Sequence, residues 1–117
     1  MDPITGLAYG RIAVGTLSLL SPKLAAKAFL LDPAANPQLG YLTRLFGSRE
    51  IALGALTLAS TGAARRALIQ AGVAIDSADA VTGILGAASG AVPKKAGLLM
   101  TVVAGGAVAS GVLGLED

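Results

Sequence analysis

The chain has 117 residues, of which 54% are hydrophobic and only 14% charged, with a mean hydropathy of +0.72 and a formal net charge of +2. That length holds a single unit with no room for a second domain, and so small a charge, without any basic run, excludes a nucleic-acid footprint. Cysteine and histidine are both absent, which excludes disulfides, thiol chemistry, haem and zinc ligation, and a histidine base.

A soluble domain carries about 25% charged residues, so this chain is short of groups to face water. Its apolar residues gather into four stretches. The first runs from residue 4 to 20 and follows Asp2-Pro3. No positive region precedes it, as a secretory signal would require, so it reads as a retained span. Ser21-Pro22 ends it and suits the start of a new helix. The next segment, residues 23 to 31, alternates Lys23 and Lys27 with apolar residues. It is too short to span and is expected to lie at the interface. Asp32-Pro33 and Asn36-Pro37 then break the chain twice.

The second stretch covers residues 39 to 60 and closes at Thr61-Gly62, with Arg65 and Arg66 just outside. The third covers 67 to 91 and stops at Pro93-Lys94-Lys95, and the fourth covers 96 to 115 without one charge. A helix needs roughly 20 residues to cross a bilayer core. The expected fold is therefore all-α: an integral membrane four-helix bundle with a short interfacial helix between spans one and two. A soluble bundle would need a polar stripe on every helix, and the fourth stretch has none. Four lysines in the first and third connections stand against two arginines in the second. That balance favours both termini outside the cytoplasm.

Six ionisable residues interrupt these stretches: Arg11, Arg44, Arg49, Glu50, Asp76 and Asp79. Each charge near a bilayer centre costs about 2.5–3.5 kcal/mol. They must pair, reach an interface or line a wet cavity, and so form the candidate charge network or ion and ligand site. Spans one and two repeat at an offset of 39, aligning Arg11–Ser21 with Glu50–Ser60, so that Arg11 falls on Glu50, Gly15 on Gly54 and Ser18 on Thr57. If equivalent faces pack together, Arg11 and Glu50 meet. In span three, Gly72, Asp76, Asp79, Gly83, Gly86 and Gly90 fall within an arc of about 80° at 100° per residue. That arc is expected to face protein, with Ala87 at its edge. Two carboxylates in such a seam call for flanking cations, which Arg44, Arg49 and Arg11 could supply.

The run Arg44-Leu45-Phe46-Gly47-Ser48-Arg49-Glu50, followed by Leu53-Gly54, resembles the motif of an uncharacterised family of small four-helix bacterial membrane proteins. The family also places an acidic residue in the third span, here Asp76 or Asp79. More distantly the plan is similar to the DoxX-type small membrane proteins. The resemblance implies a multi-pass protein of a bacterial cell membrane and supplies no reaction.

Gly6-x-x-x-Gly10 and Gly86-x-x-x-Gly90 lack the Lys-Ser/Thr of a phosphate loop and read as helix contacts. The hydroxyls lack a histidine partner for nucleophilic catalysis. Glu50, Asp76 and Asp79 could offer hard oxygen ligands, but three arginines compete for them, and neither a metal nor a cofactor is assigned. Three classes remain. The favoured one is an accessory or scaffold protein that assembles with itself or a larger membrane complex through glycine-rich faces. The next is a small oligomeric carrier of protons, ions or a lipophilic molecule. The least favoured is an intramembrane enzyme with a carboxyl general acid.

Overall fold

The computed structural model describes residues 2–116, which are all-helical apart from their connections. Five helices follow in order: α1 Pro3–Leu20, α2 Pro22–Ala28, α3 Leu39–Ala59, α4 Gly62–Ser89 and α5 Lys94–Glu116. Local chemistry sets several of their ends. Asp2 caps α1 by accepting from the Thr5 backbone N–H at 2.9 Å, and Pro3 fills the first turn, where no N–H partner is needed. Gly90 stops α4 in the left-handed conformation, at φ 77°. The last carbonyls of two helices are met by arginines. Arg44 donates to Leu19 O at 3.3 Å and Arg66 to Leu115 O at 3.0 Å.

The boundaries shift from the expected ones where helix capping extends past the apolar run. Arg65 and Arg66 lie within the first turns of α4, and Lys94 and Lys95 open α5. The short helix covers residues 22–28, because the chain leaves helical geometry at Phe29 and turns through Leu30 at φ 63°. Ala25 and Ala26 of α2 are buried.

The long helices associate as two antiparallel pairs, α1 with α3 and α4 with α5. In the first pair, buried positions recur at alternating spacings of four and three: Ile4, Ala8, Arg11, Gly15 and Ser18 on α1, then Gly47, Glu50, Gly54 and Thr57 on α3. Their contacts obey an approximate two-fold. A methyl at Gly15 would lie 2.6 Å from Gly47 O and 2.6 Å from the Ile51 side chain; one at Gly54 would lie 2.6 Å from Ala8 O and 2.8 Å from Ile12. Adding 39 to Ala8 and Ile12 gives Gly47 and Ile51, so the two halves of the contact are repeat equivalents. The hydroxyls match as well, with Ser18 donating to Val14 O and Thr57 to Leu53 O.

The α4–α5 pair closes on Gly83 and Gly97. A methyl on Gly83 would meet Gly97 O at 2.6 Å, and Thr101 Oγ1 bridges to Ala80 O and Gly97 O, each at 3.0 Å. Ala87 packs on Gly97 in this seam and is buried, not peripheral as its place on the helical wheel suggested. Gly90, expected in the seam, is exposed with open space where a side chain would be, because it serves as the helix stop. Gly86 meets only Val92 of its own connection, at 3.0 Å.

Large apolar side chains point outward. Leu20 is 80% exposed, Val102 71% and Tyr41 69%. The interior is made mainly of alanine and glycine, together with Ile4, Arg11, Ser18, Glu50, Thr57 and Asp76. Among the described residues, two helices, α4 and α5, are long and apolar enough to cross a membrane. In α1 the apolar run is broken by Arg11, and in α3 by Arg44, Arg49 and Glu50.

Candidate functional site

Each charged residue of the interior is carried by a helix position that the packing turns inward. Arg11 sits at the centre of the α1–α3 contact and reaches past α3 to α4. Its Nη1 donates to Glu50 Oε2 at 2.8 Å and to Asp76 Oδ1 at 3.1 Å, and its Nη2 donates to Asp76 Oδ2 at 2.5 Å. Gly72, one turn before Asp76, makes room for it: a methyl there would lie 2.9 Å from Arg11 Nη2.

Arg49 forms the second half of the cluster. Its Nη2 donates to Glu50 Oε1 at 3.1 Å and to Asp79 Oδ2 at 2.6 Å, while Nη1 reaches Asp79 Oδ1 at 3.4 Å. The guanidinium lies 5.1 Å from the centroid of the Phe46 ring, within cation–π range. Its buried Nε is without a hydrogen-bond partner. Glu50 is therefore the shared residue, held between two arginines, and each arginine also holds one aspartate of α4. All six carboxylate oxygens accept at least one guanidinium N–H.

Arg44, expected to join the network, does not. It is exposed and turned to the α1 terminus, since it sits about a turn and a half before Arg49 on α3. Of the six charges, five come together. Among the glycines, Gly15, Gly54 and Gly83 mark close helix contacts and Gly72 an arginine berth, while Gly86 and Gly90 do neither.

The cluster forms the floor of a cleft of about 390 Å³ between α1 and α5. Arg11, Glu50, Asp76 and Asp79 line it from below, and its walls include Leu7, Val14, Phe29, Met100 and Val103. Gly10 and Gly106 stand on opposite walls, both exposed and with open space where a side chain would be. Gly6 and Gly10 thus widen a cleft, where their spacing had suggested a helix contact. Phe29 and Phe46 meet edge to face at 6.2 Å and, with Met100, also line a smaller cavity of about 180 Å³ behind.

Residues missed by sequence reasoning are Gly47, Gly97, Thr101, Gly111, Phe29 and Met100. Gly97, Ala104 and Gly111 are buried at intervals of seven, and that spacing of small residues was the available signal. Phe29 and Met100 offered none, because their positions follow from the turn after α2 and from the gap between helix pairs.

One carboxylate oxygen from each of Glu50, Asp76 and Asp79 lies within 4.8 Å of the other two, close enough to share a cation. Two guanidinium groups already engage those oxygens, so a divalent ion would have to displace them. No family model, characterised protein or solved structure matches this chain.

Proposed function

We propose that the chain is a multi-pass membrane protein in which α1, α3, α4 and α5 cross the bilayer, and that it binds a small, largely apolar molecule in the cleft between α1 and α5 as a carrier does. The membrane reading is supported by the inverted distribution of side chains. Isolated surface leucines are ordinary, but a surface so continuously apolar around a charged, small-residue interior suits lipid and would aggregate in water. Pairing within the cluster lowers the cost of Arg11, Arg49 and Glu50, which is what allows α1 and α3 to share the bilayer with α4 and α5.

The single observation that carries the binding reading is the cleft itself. A bundle built only as a scaffold gains by closing such a gap, because unfilled volume forfeits packing. Here glycine on both walls keeps the gap open, with an apolar lining and a few convergent polar groups at its base. The accessory reading keeps one specific support: Gly105, which does not line the cleft, leaves open space on α5 where a partner helix could seat.

Two measurements test the proposal. Alkaline carbonate extraction should leave the protein in the membrane fraction. The purified protein in mild detergent should bind the neutral fluorophore N-phenyl-1-naphthylamine, and Gly10→Leu or Gly106→Leu, which fill the cleft, should abolish that binding while the helical circular-dichroism signal is kept. Equal binding by wild type and both variants would reject the cleft as the site.

A further inference from the structure

We infer that the cleft takes a monocation, a molecule with one positive charge on an apolar body. This rests on the cleft-binding reading above and adds the charge of the ligand. The cluster beneath the cleft contains Arg11 from α1, Arg49 and Glu50 from α3, and Asp76 and Asp79 from α4. Two cations therefore face three carboxylates, which leaves one negative charge unmatched. No neighbouring element cancels it. The charges of α5 lie only at its ends, in Lys94, Lys95 and Glu116. Arg44 is exposed and turned to Leu19 O at the α1 terminus, and Arg65 stands 3.8 Å from Asp2 at the far end of the bundle.

The imbalance is sharper where a ligand would touch it. Arg11 and all three carboxylates line the cleft, whereas Arg49 is not part of its wall. Each carboxylate oxygen has lone-pair capacity beyond the guanidinium bond it accepts. An anion entering the cleft would meet net repulsion, and a neutral molecule would leave the surplus charge buried in apolar surroundings. A divalent ion would overshoot the balance. A single positive charge closes it, and the walls of Leu7, Val14, Met100 and Val103 suit an apolar remainder. The volume of about 390 Å³ lies in the lower part of the range for small-molecule sites, roughly 300–1,000 Å³.

The experiment compares three probes of related shape on the full chain in detergent: tetraphenylphosphonium, the neutral triphenylphosphine oxide, and the anionic tetraphenylborate. Tetraphenylphosphonium should bind at least tenfold more tightly than the oxide, and tetraphenylborate should not bind. Glu50→Gln, which balances the cluster while leaving Arg11 with Asp76 and Arg49 with Asp79, should equalise the cation and the neutral probe. Asp79→Asn provides a second neutralising variant. Equal wild-type affinity for cation and oxide would overturn the charge assignment and leave the cleft intact as an apolar site. Failure of every probe to bind would overturn the cleft reading as well.

Discussion

Removing Arg11 and removing Glu50 should have very different costs, although the two residues form one ion pair. Unit charges about 4 Å apart attract by about 4 kcal/mol at an effective dielectric constant of about 20. Glu50 has two such partners, Arg11 and Arg49, and Glu50→Gln forfeits both attractions. It also relieves two repulsions, with Asp76 and Asp79, whose oxygens lie within 4.8 Å; each is about 3.5 kcal/mol on the same scale. The relieved repulsions offset much of the forfeited attraction, and each arginine still holds an aspartate. Arg11→Gln forfeits attractions to Glu50 and Asp76 and strands Asp76 without a cation, a change expected to cost about 3–5 kcal/mol. Unfolding by added dodecyl sulfate in mixed micelles, followed by far-ultraviolet circular dichroism, measures both. In the double variant Arg11→Gln/Glu50→Gln, the losses should not add, since each single change already disrupts the shared pair. If Glu50→Gln proves as damaging as Arg11→Gln, the surplus carboxylate is not part of the cluster, and the charge count behind the monocation fails with it.

Three further outcomes follow from the helix packing and the caps. Gly83→Ala should destabilise by about 1–3 kcal/mol by overpacking, because its methyl would sit 2.6 Å from Gly97 O, whereas Gly105→Ala, with open space around it, should be tolerated; the same dodecyl sulfate titration separates them. Cysteines placed at Ala64 and Lys95, at opposite ends of the α4–α5 pair, should react with an impermeant maleimide from opposite sides of sealed vesicles, and same-side labelling would exclude α4 as a span. Asp2 has its carboxyl held below the ordinary aspartate range, chiefly by the Thr5 backbone N–H and then the Thr5 hydroxyl; a depressed value means that the cap stabilises α1 above the unfolded value and is lost as pH falls through the folded one. Amide exchange at Thr5 and Gly6 should therefore quicken on acidification and in Asp2→Ala, while exchange near Arg11 should not.

Much of this organisation is written locally. Asp2-Pro3, Ser21-Pro22, Thr61-Gly62 and Pro93 mark helix boundaries through backbone chemistry that needs no tertiary context, and the observed ends fall within a few residues of them. The meeting of Arg11 with Glu50 was legible from the repeat, since equivalent faces carry them both. What the sequence left open was decided by contacts between distant segments. Arg44 lies only five residues from Arg49, yet the α1 terminus claims it. Gly90 shares an arc with Gly83, yet the chain needs it for a left-handed stop. The cleft was invisible because it is a space between α1 and α5, helices that the sequence separates by most of its length.

The repeat also explains why opposite charges occupy its equivalent positions. When two copies of one helical segment pack antiparallel about a two-fold, a residue near the axis faces its own equivalent. Small residues flanking the axis let the backbones approach, as Gly15 against Gly47 and its repeat equivalent Gly54 against Ala8 show. A charge does not tolerate it, because identical copies would bring like charges together in low dielectric. The position must be apolar or must differ in sign between the copies, and here it is arginine in one and glutamate in the other. Satisfying the axis alone would have made a neutral pair and a closed site. The two aspartates of α4 and the single further cation, Arg49, shift the sum to minus one, beneath a cleft that glycine keeps open. The pair at the axis thus accounts for helix association, and the imbalance around it is the part that packing does not require.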